Sequence, residues 1–204
     1  MKTRPNEPQW AERDRLVLSK GHAGPVVYAA LALRGFFPAD WLKQINRNGT
    51  PLPSHVDQNA TPGIDMTAGS LGQGLSAACG MALAAKLDQK DHHVFCIIGD
   101  GESDEGQIWE AALFAAHHQL DNLITICDYN KFQIDGRTKE ILNLDPLVDK
   151  WKSFGSETLE IDGHDFNQIY DALTKAKEYL GTAKSSDRDL AWSQIQYAQS
   201  LAQS

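Results

Sequence analysis

Apolar residues in this chain fall into two kinds of run. Residues 94–98 and 123–127 are short, nearly continuous and rich in β-branched types, the mark of strands buried on both faces of a parallel sheet. Between them Ile108, Trp109, Ala112, Leu113 and Ala116 recur at helical period. Asp104, with Gln107 three residues on, has the spacing of a capping box. The pattern predicts a strand, helix, strand unit, which closes as a right-handed crossover. Asp100 and Asn130 each fall just past a strand's carboxyl end, the edge where ligands bind in open α/β sheets.

The same reading predicts helices over 26–33, from Pro38 through Trp41, Leu42 and Ile45, and over 67–86, where Gly74 and Gly80 should permit close packing. Asp145-Pro146 should open a helix through Leu147 and Trp151 that Gly155 stops. A third strand over 157–161 and a helix over 166–179, with Ile169, Tyr170 and Leu173 inward, complete the series. The expected fold class is α/β, a parallel sheet with helices on both faces. Residues 1–180 read as one domain. Residues 181–204 are rich in Ser, Ala and Gln without a strand-like run, and are expected to form a mobile polar tail.

Composition narrows the partners. A hydrophobic content of 42% is enough for an ordinary core, and the formal net charge is −8. An acidic chain with no Lys/Arg cluster is not built to bind nucleic acid. No apolar run approaches the ~18 residues of a membrane span, and the polar N-terminus lacks a signal peptide's apolar stretch. Cys79, Cys96 and Cys127 form no CxxC pair, the usage of a reducing compartment. A soluble, cytoplasmic protein is expected.

The loop after residue 98 carries the chemistry. A glycine-flanked turn running into a helix attracts anions, but Asp100, Glu102, Asp104 and Glu105 would repel bare phosphate. A divalent cation between carboxylate and phosphate removes the conflict, and Mg2+ and Ca2+ take oxygen ligands. Asp100 offers a carboxylate, Asn130 an amide oxygen and Phe132 a backbone carbonyl. The bland alternative stays open here, since Gly-Asp-Gly is also an ordinary turn former. A dinucleotide fingerprint fits less well, because Gly106 follows Gly101 by two residues too many. His22, beside Gly21, reads on its own as a loop histidine. The pairs His92-His93 and His117-His118 read as surface features, with no further ligand at metal spacing.

Gly-Asp-Gly followed thirty residues later by Asn matches the thiamine diphosphate motif, and GDGESDEGQIWEA and DYNKFQIDG resemble the transketolase family. The resemblance spans roughly residues 10–180 and implies the thiamine diphosphate-binding fold. It implies a metal, Mg2+ (or Ca2+), held by Asp100, Asn130 and the Phe132 carbonyl. Gly101 and His22 would touch the diphosphate, with backbone contacts from Gly69, Ser70 and Leu71. His55 would sit by the substrate, although Ser54-His55-Val56-Asp57 departs from the family's Gly-His-Pro-Glu. Glu105 matches a domain-interface glutamate and joins His22 and His55 as the implied catalytic set. The implied reaction moves a two-carbon ketol unit from a ketose phosphate to an aldose phosphate. The glutamate that activates the aminopyrimidine belongs to another domain. A C-terminal transketolase subunit carrying the pyrimidine-binding domain is therefore the expected partner, in a hetero-oligomer, and the isolated chain should be inactive. On this resemblance the chain is the N-terminal subunit of a split transketolase, shortened at both ends. The alternatives are a deoxyxylulose-phosphate synthase, a non-catalytic fragment and a dehydrogenase E1 subunit.

Overall fold

A computed structural model describes residues 1–182 and 193–198. In chain order its elements are β1 (Arg15–Leu18), α1 (Gly24–Leu33), α2 (Gln73–Leu87), β2 (Val94–Gly99), α3 (Gly106–His117), β3 (Leu123–Tyr129), β4 (Phe132–Gln133), β5 (Gly136–Arg137), α4 (Thr138–Ile141), α5 (Leu147–Ser153), β6 (Glu157–Asp162), α6 (Phe166–Thr182) and β7 (Ser193–Ala198). Five strands form one sheet in the order β1-β2-β3-β7-β6, and every pairing is parallel. β4 and β5 make a separate antiparallel pair. The two apolar runs became β2 and β3 because both their faces are covered. On one side Leu75, Ala78, Ile108, Ala112 and Trp151 from α2, α3 and α5 pack against Val94, Cys96, Ile98, Leu123 and Cys127. On the other, Ala172 and Ala176 of α6 pack against Phe95 and Ile124. Leu18, Tyr28, Leu31, Leu52 and Val56 fill a third cluster, formed by α1 and the long loop after it. The α/β class, with helices on both faces, is the one the pattern predicts. Among the described residues no helix is long and apolar enough to cross a membrane.

Several details differ from the pattern. The helix expected around Asp104 is two pieces, a 3-10 turn at Gly101–Asp104 and then α3, whose N-cap Glu105 makes no side-chain cap bond. The turn ends at Asp104, so its carboxylate instead accepts a bond from Gln133 Nε2 at 2.7 Å. Residues 39–44, read as a helix, wind as a 3-10 helix. Tyr170, expected inward, is 70% exposed, while Ala172 and Ala176 are buried. Leu173 packs with Ala172 and Ala176 as expected and Ile169 is half-buried, so of the three positions only Tyr170 lies off the inward stripe. His92 is buried, not a surface residue. His93 packs at 3.6 Å on the carboxylate of Asp14. Burial opposes ionisation of Asp14, but bonds from His93 and from the Lys2 amide outweigh it and hold its pKa at about 2. The edge strand β1 was not anticipated.

The tail, read as having no strand, contributes β7 between β3 and β6. The gap between those strands offers unpaired N–H and C=O groups on both sides, and backbone pairing asks little of side-chain identity. The remaining tail positions, 183–192 and 199–204, lie outside the described residues, and the expectation of mobility falls on them.

Close packing was expected at two glycines and holds at one. A Cβ on Gly74 would collide with the Ser19 side chain and stand 2.7 Å from Ser19 Cα, whereas one on Gly80 would meet nothing within 4 Å. Gly74→Ala should therefore lower stability by about 1–3 kcal/mol through overpacking. Gly80→Ala should raise it by about 0.5–1 kcal/mol through helix propensity. Urea denaturation of the two variants checks this, and equal shifts would contradict it.

Candidate cofactor site

Parallel register sets the site. β2 and β3 pair Gly99 with Asp128, so Asp100 and Asn130 leave the sheet side by side. The Asp100 amide donates to the Asp128 carbonyl at 3.1 Å. Its buried carboxylate accepts from Gly101 N at 2.8 Å and from Lys131 N at 2.7 Å. Burial raises the Asp100 pKa and the Asp128 charge adds to this, while the two amide bonds and Lys20 pull it back. Lys20 Nζ bonds Asp128 Oδ2 at 2.5 Å, and Asn130 Nδ2 donates to the same oxygen at 3.3 Å. The other Asn130 atom, Oδ1, accepts from Phe132 N at 2.8 Å. The loops after β2 and β3 thus bring Asp100 and Gly101 beside Asn130 and Phe132.

A buried carboxylate ties the surrounding loops to that turn. Glu102 Oε1 accepts from the Ser19 hydroxyl and from Gly72 N at 2.9 Å, and Oε2 accepts from Gly99 N at 3.1 Å. The Ser19 hydroxyl oxygen in turn accepts from Gly74 N at 3.1 Å. Gly72 ends the loop holding Gly69, Ser70 and Leu71, all three exposed. Gly72 also lies against Glu105, whose Cβ would be 2.9 Å from a Cβ there. Glu105 itself is exposed, as are His22 and His55. Ser19 and Lys20 lead straight into the short 3-10 turn Gly21–Ala23 that carries His22.

The chain has relatives among known proteins. Residues 1–184 match the family described as transketolase, thiamine diphosphate binding domain. The chain belongs to the transketolase family. It is 60% identical over 181 residues to a 6-deoxy-6-sulfo-D-fructose transketolase subunit of Clostridium sp. (strain MSTE9), a match covering 89% of this chain and 66% of the relative. It is 45% identical over 162 residues to an apulose-4-phosphate transketolase subunit of Actinobacillus succinogenes, covering 79% of this chain and 59% of the relative. The crystal structure of transketolase from Campylobacter jejuni superposes with a TM-score of 0.84 at 34% identity, over 96% of this chain and 31% of that one. This transketolase-family chain therefore spans less than two thirds of the length of the relatives it matches.

The donor set suits a hard divalent cation. Asp100, Asn130 and the Phe132 carbonyl are all hard oxygen donors, the type Mg2+ and Ca2+ prefer. Among the described residues no group of three or more His, Cys, Asp or Glu side chains is placed to hold a metal. A cation here would depend on one carboxylate, an amide and a carbonyl, with diphosphate and water completing the shell. Asp128 Oδ1, buried and without a hydrogen-bond partner, adds negative potential behind that set. Four residues that shape this candidate site carry no binding or catalytic role in the sequence: Ser19, Lys20, Glu102 and Asp128. Glu102 was one more acid in an acidic loop, and nothing local separates a buried carboxylate from a solvated one. Its partner Ser19 lies 83 positions away. The one available signal was a Ser-Lys pair directly after an apolar run.

His22 links site geometry to pH. Lost hydration lowers its pKa first, and the nearby charges of Lys20 and then His55 lower it further. The folded state thus disfavours the imidazolium. Its contribution to stability is full above the ordinary value of 6.5 and falls as pH drops through the depressed one. In a proton NMR titration His22 should have a midpoint below 6.5, and Lys20→Met should move it upward. A midpoint at or above the ordinary value, or no response to Lys20→Met, would contradict the assignment.

Proposed function

We propose that this chain is the N-terminal, diphosphate-binding subunit of a two-subunit transketolase, with residues 1–180 carrying the site. It works in the cytoplasm beside a C-terminal subunit that supplies the pyrimidine-binding domain, in a hetero-oligomer. The donor is a ketose with a terminal anion, phosphate or sulfonate, and the acceptor is an aldose phosphate. What carries the reading is the side-by-side placing of Asp100 and Asn130 within a domain of this family. Two relatives named as transketolase subunits support it, at 60% and 45% identity.

Thiamine diphosphate, when bound, supplies the electron sink that lets a carbon–carbon bond beside a carbonyl break. The chain's own residues bind and orient. Asp100, Asn130 and the Phe132 carbonyl would hold Mg2+ or Ca2+, and Gly101, whose amide is taken by Asp100, would lie against the diphosphate. Gly69, Ser70 and Leu71 present backbone along the cofactor, on a loop that Glu102 anchors. His22, neutral at neutral pH, has an N–H for a phosphate oxygen and a free ring nitrogen that can take a proton from a sugar hydroxyl. His55 faces the sugar from the adjacent loop. Glu105, exposed beside Gly72, meets the partner and supports its activating glutamate.

The test is a ketol-transfer assay between sugar phosphates, with and without the matching C-terminal subunit. The chain alone should show no turnover, because an open site leaves the reacting centre in water. Adding the partner should restore turnover, and Asp100→Ala should abolish both that rescue and Mg2+-dependent thiamine diphosphate binding. Turnover by the chain alone, or full cofactor affinity in Asp100→Ala, would overturn the reading.

A further inference from the structure

The Phe132 carbonyl sits on a hairpin that cannot hold itself. β4 and β5 have two residues each, and a pair that short is not stable in water. Its backbone ties outside the pair are few: Lys131 N to Asp100 Oδ2 at 2.7 Å, Phe132 N to Asn130 Oδ1 at 2.8 Å and Thr138 N to Lys131 O at 3.0 Å. Gln133 ties it to the turn after β2. Its Nε2 donates to Asp104 Oδ2 at 2.7 Å, at the end of the 3-10 turn. Its stem lies on the start of the same turn, where a Cβ on Gly101 would stand 2.8 Å from Gln133 Cγ. Asp104 Oδ1 and Gln133 Oε1 are both buried without a hydrogen-bond partner, so that single N–H···O bond is the polar link between the two side chains.

We propose that Gln133 is a positioning residue. Through Asp104 and Gly101 it sets where the Phe132 carbonyl stands relative to Asp100, and so how tightly the chain holds a divalent cation with thiamine diphosphate. The proposal rests on the metal reading above. A ligand carbonyl on a two-residue strand has no stiffness of its own, and partners of metal ligands commonly tune affinity by about 10–100-fold.

Calorimetric titration of the full chain with thiamine diphosphate, in Mg2+ and in EDTA, tests it. Gln133→Ala and Asp104→Ala should each weaken the Mg2+-dependent binding about tenfold, with the double variant no weaker than either single one. Binding in EDTA should not change. Gln133→Glu combined with Asp104→Asn exchanges donor and acceptor and should recover the affinity, which a general packing defect would not allow. Single variants that bind like the wild type, or losses that add in the double variant, overturn the proposal. A wild-type chain whose binding ignores Mg2+ and Ca2+ overturns the metal reading instead. Hydrogen exchange at the Lys131 amide then decides the positioning role: faster exchange in Gln133→Ala upholds it, and unchanged exchange overturns it.

Discussion

The site depends on a carboxylate that never reaches solvent. Glu102 is 3% exposed and Ser19 fully buried, and their bond joins the end of β1 to the turn after β2. The same carboxylate takes the amides of Gly72 and Gly99. Hydrogen bonds to a charged group contribute about 1.5–3 kcal/mol each, and a buried donor left without its acceptor costs a further ~1–3 kcal/mol. Three loops far apart in sequence are thereby held within a few ångströms. Without that anchor, Gly69, Ser70 and Leu71 would be an exposed loop with no fixed relation to Asp100.

The sheet supplies the complementary constraint. Parallel strands in register bring their carboxyl ends to one edge, and here that edge collects Asp100, Asp128 and Asn130. Two carboxylates so close would repel, and the burial of Asp100 makes matters worse. Lys20 offsets part of this by bonding Asp128, and the amides of Gly101 and Lys131 offset part at Asp100. What remains is an edge that favours an added positive charge. Burial lowers the His22 pKa first and Lys20 lowers it further, while Glu102 and Asp128 push the other way, so this edge and the histidine share Lys20.

The parts of this arrangement legible in the sequence were those written locally. The two apolar runs, the helix between them and the Asn thirty residues past Asp100 are short-range patterns, and they placed the edge correctly. Gly74 was legible because a small residue in a helix implies a close neighbour, and the neighbour is Ser19. Gly80 carries the same residue type without one, which no single sequence can distinguish. Tertiary pairing hid the rest. The Ser19–Glu102 bond, the Lys20–Asp128 pair and the capture of Asp104 by Gln133 each join residues whose types are common in loops. β7 was hidden differently: Gln194-Ile195-Gln196-Tyr197 does alternate polar and apolar residues at a strand's period, but the polar composition around it drowned the pattern.

Amide hydrogen exchange at Gly72, Gly74 and Gly99 tests the role of Glu102 most directly. Gly99 ends β2 three residues before Glu102, while Gly72 and Gly74 are 30 and 28 positions from it, the first bonded to its carboxylate and the second to Ser19. If the carboxylate is the anchor, all three amides are protected in the native chain. In Glu102→Gln, which removes the charge and turns one acceptor into a donor, the three should lose protection together while the amides of residues 94–98 and of β3 keep theirs. Loss confined to Gly99, with Gly72 and Gly74 still protected, would show that the loops hold themselves in place and that Glu102 is only a local turn residue.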